Sequence, residues 1–138
     1  DDKKMNLSVP SSVTSIESRI NLNINKFIVS ADNNNYSSRD GVLFNKDGTT
    51  LISVPSYYEK LEYVIDAENI SSYALMNNII LKTITLTDSV KSIERNAIYG
   101  REELGIRKVI NNSSVLFSNY YYDTDYDITV ETNDGTQS

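Results

Sequence analysis

The chain has 138 residues, 39% apolar and 23% charged, a balance that fits one globular domain and argues against wholesale disorder. It has no Cys, His or Trp, which excludes disulfide scaffolds, Cys/His zinc centres, and Ser-His or Cys-His catalysis. Net charge is −6, and residues 109–138 carry Asp123, Asp125, Asp127, Glu131 and Asp134 with no Lys or Arg, which leaves 13 basic against 14 acidic residues in 1–108.

Without a basic cluster there is no face for a phosphate backbone, so nucleic acid is not expected as a partner. No apolar run approaches the roughly 20 residues needed to cross a bilayer. The opening Asp1-Asp2-Lys3-Lys4 carries no signal peptide, and the pattern begins mid-register at Lys4, as expected of one piece of a longer exported protein.

In chain order, a motif of the form apolar-x-x-apolar-x-apolar recurs at Lys4/Leu7/Val9, Ile24/Phe27/Val29, Tyr58/Leu61/Tyr63, Leu81/Ile84/Leu86 and Leu104/Arg107/Val109, with a weaker copy at Asp125/Ile128/Val130. The steps are 20, 34, 23, 23 and 21 residues. Each alternating pair, such as Ile84 and Leu86, predicts a short strand with one face inward and Thr83, Thr85 and Thr87 outward. Val90 and Ile93 predict a second short extended segment after it. Ala97-Ile98 before Gly100 predicts one helical turn. A unit that buries one apolar face cannot stand alone, so the repeats predict a stacked, mainly β solenoid.

The long step holds an insert. Gly41–Phe44 and Thr50–Val54 flank an Asp47-Gly48 turn, which predicts a β-hairpin within 36–55. Pro55 ends its second strand.

Residues 36–52 (YSSRDGVLFNKDGTTLI) resemble the hairpin insert of BspA-like leucine-rich repeats, and residues 81–100 (LKTITLTDSVKSIERNAIYG) resemble that family's 23-residue unit. The resemblance covers about 24–104 fully and 1–23 in part. The family's Pro after the strand is kept at Pro10 but replaced by Asp66 and Thr87, its Ala-Phe becomes Ala74-Leu75 and Ala97-Ile98, and its Cys is missing. It implies a leucine-rich-repeat solenoid with short parallel strands, short helical turns and an inserted hairpin. It also implies export or surface exposure in bacteria, with adhesion and binding of a host or extracellular protein. The expected organisation is a solenoid over 1–110 and a capping strand with a tail over 111–138, frayed from residue 131.

Candidate sites follow from this frame. Outward strand positions would stack into ladders, one of Asn6, Lys26, Lys60, Thr83 and Ile106, and one of Ser8, Ile28, Glu62, Thr85 and Lys108. The resulting ligand-binding candidates are Lys26, Ile28, Lys60, Glu62, Thr83, Thr85 and Lys108. Ile28, Val64 and Ile110 would add outward apolar patches; the plainer reading is a solvated sheet face. Asp123, Asp125 and Asp127 offer oxygen ligands at alternate positions, with Asp134 at the twelfth, as a calcium loop would. Ile128 stands where that loop needs Gly, so alternating acids on a terminal strand are the plainer reading. Tyr120, Tyr121, Tyr122 and Tyr126 could stack on carbohydrate or pack over the last turn. No Ser-x-x-Lys and no Gly-rich phosphate loop occur, so neither an enzymatic activity nor a cofactor is expected. A carbohydrate-binding or spacer module in a larger surface protein is the competing reading.

Overall fold

The computed structural model describes residues 4–17 and 23–132. The chain winds as a mainly β solenoid of about six turns, its strands meeting in parallel from turn to turn. The first two turns give β1 (Met5–Val9) and β2 (Ile24–Val29), parallel, with Leu7 beside Phe27 and Val9 beside Val29. The insert supplies β3 (Tyr36–Arg39), β4 (Val42–Asn45) and β5 (Thr50–Ser53). The third turn carries β6 (Glu62–Ile65), β7 (Asn69–Ile70) and β8 (Leu75–Met76), and the fourth β9 (Thr83–Leu86), β10 (Ser92–Ile93) and β11 (Ile98–Gly100). β12 (Lys108–Asn111), a 3-10 turn at Asn119–Tyr121, β13 (Tyr122–Thr124) and β14 (Thr129–Thr132) complete it.

Each turn contributes one strand to each of up to three sheets. The largest parallel stack runs β14-β12-β9-β6, a second runs β13-β11-β8, and a third begins β10-β7-β5. Three expectations are corrected here. Ala97-Ile98 does not form a helical turn, because Asn96 takes a left-handed backbone (φ 57°) and sends the chain directly into β11. The repeat register also slips by two residues on both sides of β9. Tyr63 and Ile65, not Leu61 and Tyr63, pair with Ile84 and Leu86, and on the other side Val109 and Asn111 take those places. Leu61 therefore leaves the expected core and is 66% exposed, whereas Ile106, expected outward, is fully buried. Glu131 and Thr132, expected in a frayed tail, lie in β14; residues 133–138 fall outside the described residues.

The insert differs from a simple hairpin. Asp40 (φ 53°) and Gly41 (φ 81°) form a two-residue turn between β3 and β4, so Asp-Gly dipeptides close two successive antiparallel connections. β5 then pairs antiparallel with β4 on one side and parallel with β7 on the other. This three-stranded meander is a wall through the interior. Val42, Phe44 and Leu51 face the large core of the later turns, while Leu43 and Ile52 face a smaller one built on Ile24 and Phe27. Strand alternation sends neighbouring side chains to opposite faces, so β4 is buried on both.

Buried asparagines tie loops, Asn33 and Asn78 across turns and Asn111 within its own. The Asn33 amide is fully buried and donates to the carbonyls of Pro10 (2.8 Å) and Val13 (3.0 Å), while its Oδ1 accepts from the backbone of Asn35 and Tyr36. Asn78 donates to Pro55 at 3.1 Å, and Asn111 to Val115 at 2.7 Å. These replace loop hydrogen bonds that backbone alone does not make.

Two stability outcomes follow. Ile84→Asp should unfold the chain, costing more than about 4 kcal/mol by burying an unpaired charge, while Thr85→Asp costs under about 0.5 kcal/mol, both read by denaturant melts. Leu43→Ala should cost about 2–5 kcal/mol, with hydrogen exchange rising first in residues 4–29 and only later in β9 and β12.

Candidate functional site

The four parallel strands β6, β9, β12 and β14 present one outer face of regularly spaced side chains. One row across it reads Glu62, Thr83, Lys108 and Thr129; the next reads Val64, Thr85, Ile110 and Glu131. Thr83, Thr85 and Lys108 therefore stand on one face as expected. Glu62 and Lys108 both join the row of Thr83 rather than that of Thr85, a consequence of the two-residue slip on each side of β9. Val64 (59% exposed) and the half-buried Ile110 face outward as expected. Lys108 Nζ meets the Glu131 carboxylate at 3.0 Å. The face thus offers apolar and hydroxyl side chains with one charged pair at its margin.

Lys26 and Ile28 lie on β2, in the separate β1-β2 sheet, beside Asn6 and Ser8. The expected continuous ladder is broken between β2 and β6 because the wall emerges there. The Gly41 carbonyl accepts from Phe27 N at 2.9 Å. A Cβ on Gly41 would lie 2.7 Å from Lys26 Cβ, so the turn can press against β2 only as glycine. Lys60 is on no strand; it sits in the segment before β6. Together Asn25, Lys26, Asp40, Gly41, Tyr58, Glu59 and Lys60 line an open cleft of about 280 Å³ at the break. Sequence reading found Lys26 and Lys60 but missed Asp40, Tyr58 and Glu59, because their convergence depends on the wall's path.

The acidic segment is engaged internally. The Arg101 guanidinium reaches the Asp123 carboxylate at 2.8 Å and also its backbone carbonyl. Asp125 accepts from Glu102 N, and Asp127 is exposed. Among the described residues, no three Asp or Glu side chains converge as a metal site would require, and Asp134 lies outside them. The tyrosines divide. Tyr121 and Tyr122 pack on Phe117, with centroids 5.5 and 6.0 Å away. Tyr120 stays 57% exposed, in a shallow groove with Arg95, Asn96, Asn119 and Asp123.

Tyr126 turns inward, its hydroxyl filling the space that side chains at Gly100 and Gly105 would need, with the Arg107 guanidinium 4.6 Å above its ring. Burial is the main reason its pKa rises to about 12, with Asp125 adding to the rise and Arg107 opposing it.

No family model and no curated protein matches the chain. Solved structures do, two of them bacterial leucine-rich repeat proteins. A leucine-rich repeat protein from Eubacterium ventriosum superposes with a TM-score of 0.56 at 23% identity, covering 80% of this chain and 37% of that one. A leucine-rich cell surface protein from Faecalibacterium prausnitzii gives a TM-score of 0.53 at 18% identity, covering 93% and 48%. The chain thus spans less than half the length of either. The likeness establishes a leucine-rich-repeat solenoid fold, in agreement with the resemblance of residues 24–104 to BspA-like repeats.

One pH dependence follows from Tyr126. The unfolded hydroxyl ionises near pH 10 and the folded one near 12. In that interval the unfolded state binds fewer protons, so a stability contribution complete below pH 10 is lost as pH rises. Denaturant melts across the interval should show this fall, shallower in Tyr126→Phe.

Proposed function

We propose that the chain is a non-catalytic protein-binding module of an exported or cell-surface bacterial protein, and that it binds a host or extracellular protein through its outer strand face. The observation that carries this reading is the aligned outward row of Val64, Thr85 and Ile110, in which Val64 is 59% exposed and its two neighbours are half-buried. A flat, rigid array backed by a core loses little conformational entropy on binding, which suits protein recognition. The leucine-rich-repeat neighbours, one of them described as a cell surface protein, support the location.

The test is capture of extracellular-matrix and host-surface proteins by the whole chain and by single variants. Lys108→Glu and Thr85→Arg should each weaken capture at least about tenfold, as changes at interface hot spots do, with melting unchanged. Equal capture by both variants would exclude this face and leave a structural spacer as the reading.

A carbohydrate ligand is the second reading, favoured by exposed Tyr120 beside the amides of Asn96 and Asn119. An exposed ring with neighbouring amides matches the apolar and polar faces of a sugar. A glycan-array signal abolished by Tyr120→Ala would establish it; no signal, or one that survives the substitution, would end it.

A further inference from the structure

Parallel register brings Arg95 and Tyr120, from adjoining turns, to one groove. β11 pairs with β8 and β13 so that Ile98 lies beside both Leu75 and Tyr122. The residues entering these strands follow the same register: Tyr73 N donates to Asn96 O at 2.9 Å, and Asn96 N to Tyr120 O at 3.2 Å. Arg95 therefore stands beside Asn119. The 3-10 turn that carries Asn119 and Tyr120 is capped by Ser118, whose Oγ accepts from Tyr120 N. The Tyr121 ring meets that of Tyr120 at 87°, with centroids 5.6 Å apart, and fixes its orientation. Tyr73 holds the place of Tyr120 two turns earlier, but its ring packs edge-on against Tyr99.

The groove carries an uncompensated positive charge, although the segment around it is acidic. Of its two charged side chains, Asp123 is taken up by Arg101, which donates to its carboxylate and its carbonyl at 2.8 Å each. Arg95 has no carboxylate partner among the described residues. The carboxylate of its neighbour Glu94 accepts from Ser72 N at 3.0 Å instead. The Arg95 guanidinium lies 5.8 Å from the centroid of the Tyr120 ring, which is 57% exposed. The carboxamides of Asn96 and Asn119 and the Tyr120 hydroxyl have no hydrogen-bond partner among the described residues. Between these groups lie about 500 Å³ of open groove, a size that suits a small ligand.

We propose that this groove binds an acidic sugar, a hexuronate or a sulfated hexose, with Arg95 selecting its acid group. The inference rests on the carbohydrate reading of this groove and is independent of the outer strand face. The sugar ring lies against Tyr120, whose flat apolar surface suits the face of a pyranose. The Asn96 and Asn119 carboxamides, each able to donate and accept, take its hydroxyls. The planar Arg95 guanidinium presents paired N–H donors that match two oxygens of a carboxylate or a sulfate. Stacking alone does not separate a neutral sugar from an acidic one, whereas an unpaired guanidinium beside the ring does. An acidic peptide would satisfy Arg95 but offers no flat hydroxylated face to the ring and the two amides together.

The probes are a galacturonate disaccharide, the same disaccharide with its carboxylates methyl-esterified, and a sulfated galactose disaccharide, each titrated into the full chain by calorimetry. The uronate should bind at least about fivefold tighter than its ester, because a hydrogen bond to a charged group is the stronger one. Arg95→Gln should bring the uronate down to the ester's affinity and leave the ester unchanged, while Arg95→Lys keeps part of the preference. Tyr120→Ala should weaken both at least about fivefold through the lost ring surface, and all three variants should melt as the parent does. A sulfated sugar bound with the same Arg95 dependence supports the proposal and adds sulfate to the accepted acids; a uronate bound without it narrows the acid to a carboxylate. Equal affinity for uronate and ester would overturn the proposal, and loss of both in Tyr120→Ala would then leave the carbohydrate reading standing. No binding of any probe at millimolar concentration would end both. A uronate preference that survives Arg95→Gln overturns the assignment of Arg95. A triglutamate peptide bound as tightly as the uronate, with the same Arg95 dependence, would make the ligand an acidic peptide, and the proposal fails then too.

Discussion

Everything in this fold leans on the burial of β4 on both of its faces. A solenoid of this size would ordinarily run one core from end to end, each turn covering the last. Here Val42 and Phe44 close the large core from one side, and Leu43 between them closes the small one from the other. Since strand side chains alternate, no shift of one residue in β4 is tolerable, because it would exchange the two sets. The two Asp-Gly turns hold that register from both ends. Asp40-Gly41 brings β3 back at a two-residue spacing, and Gly48 N bonding to Asn45 O fixes the entry into β5.

The same wall explains the division of the outer surface. It must emerge somewhere, and it does so between β2 and β6, where Gly41 takes the hydrogen bond that a neighbouring turn would otherwise take. Lys26 and Ile28 are thereby separated from the ladder of Thr83, Thr85 and Lys108. The surface is one extended array of four strands and one pair of strands, with a cleft between them. The array supplies the proposed binding face; the break holds the emerging wall.

Much of this was legible in the residues. Apolar alternation at Ile84/Leu86 and Phe27/Val29 marks the strands, the spacing marks the turns, and the β-rich runs around Asp47-Gly48 mark the insert. What escaped was register, because the loops between strands differ in length. Leu61 looks like a core residue until Tyr63 and Ile65 are seen to lie beside Ile84 and Leu86. Ile106 fills space just before β12, where a fixed 23-residue step would have turned it outward. The buried asparagines also escaped, since a lone polar letter gives no sign of its burial. Their only written signal is that Asn33, Asn78 and Asn111 all lie in Asn runs at or just past the end of an extended segment. Of the site, the Thr83, Thr85 and Lys108 face could be read from alternation, whereas the cleft needed the three-dimensional path of the insert.

Having two cores also changes how the chain can vary in length. Turns beyond the wall interact with their neighbours through repeated parallel pairings, β7 with β10 and β9 with β12 among them. Among the described residues, the cluster around Phe27 is closed on the side of that array by Leu43 of β4 and Ile52 of β5, with one backbone bond from Tyr57 N to Ile24 O beside them. Whole turns can therefore be added to or removed from the later stack, widening or narrowing its outer face, while the wall and the core on its near side keep every contact they have. Repeat number and the geometry of the break are separate variables, so natural variation or engineering can set the reach of one surface without retuning the other.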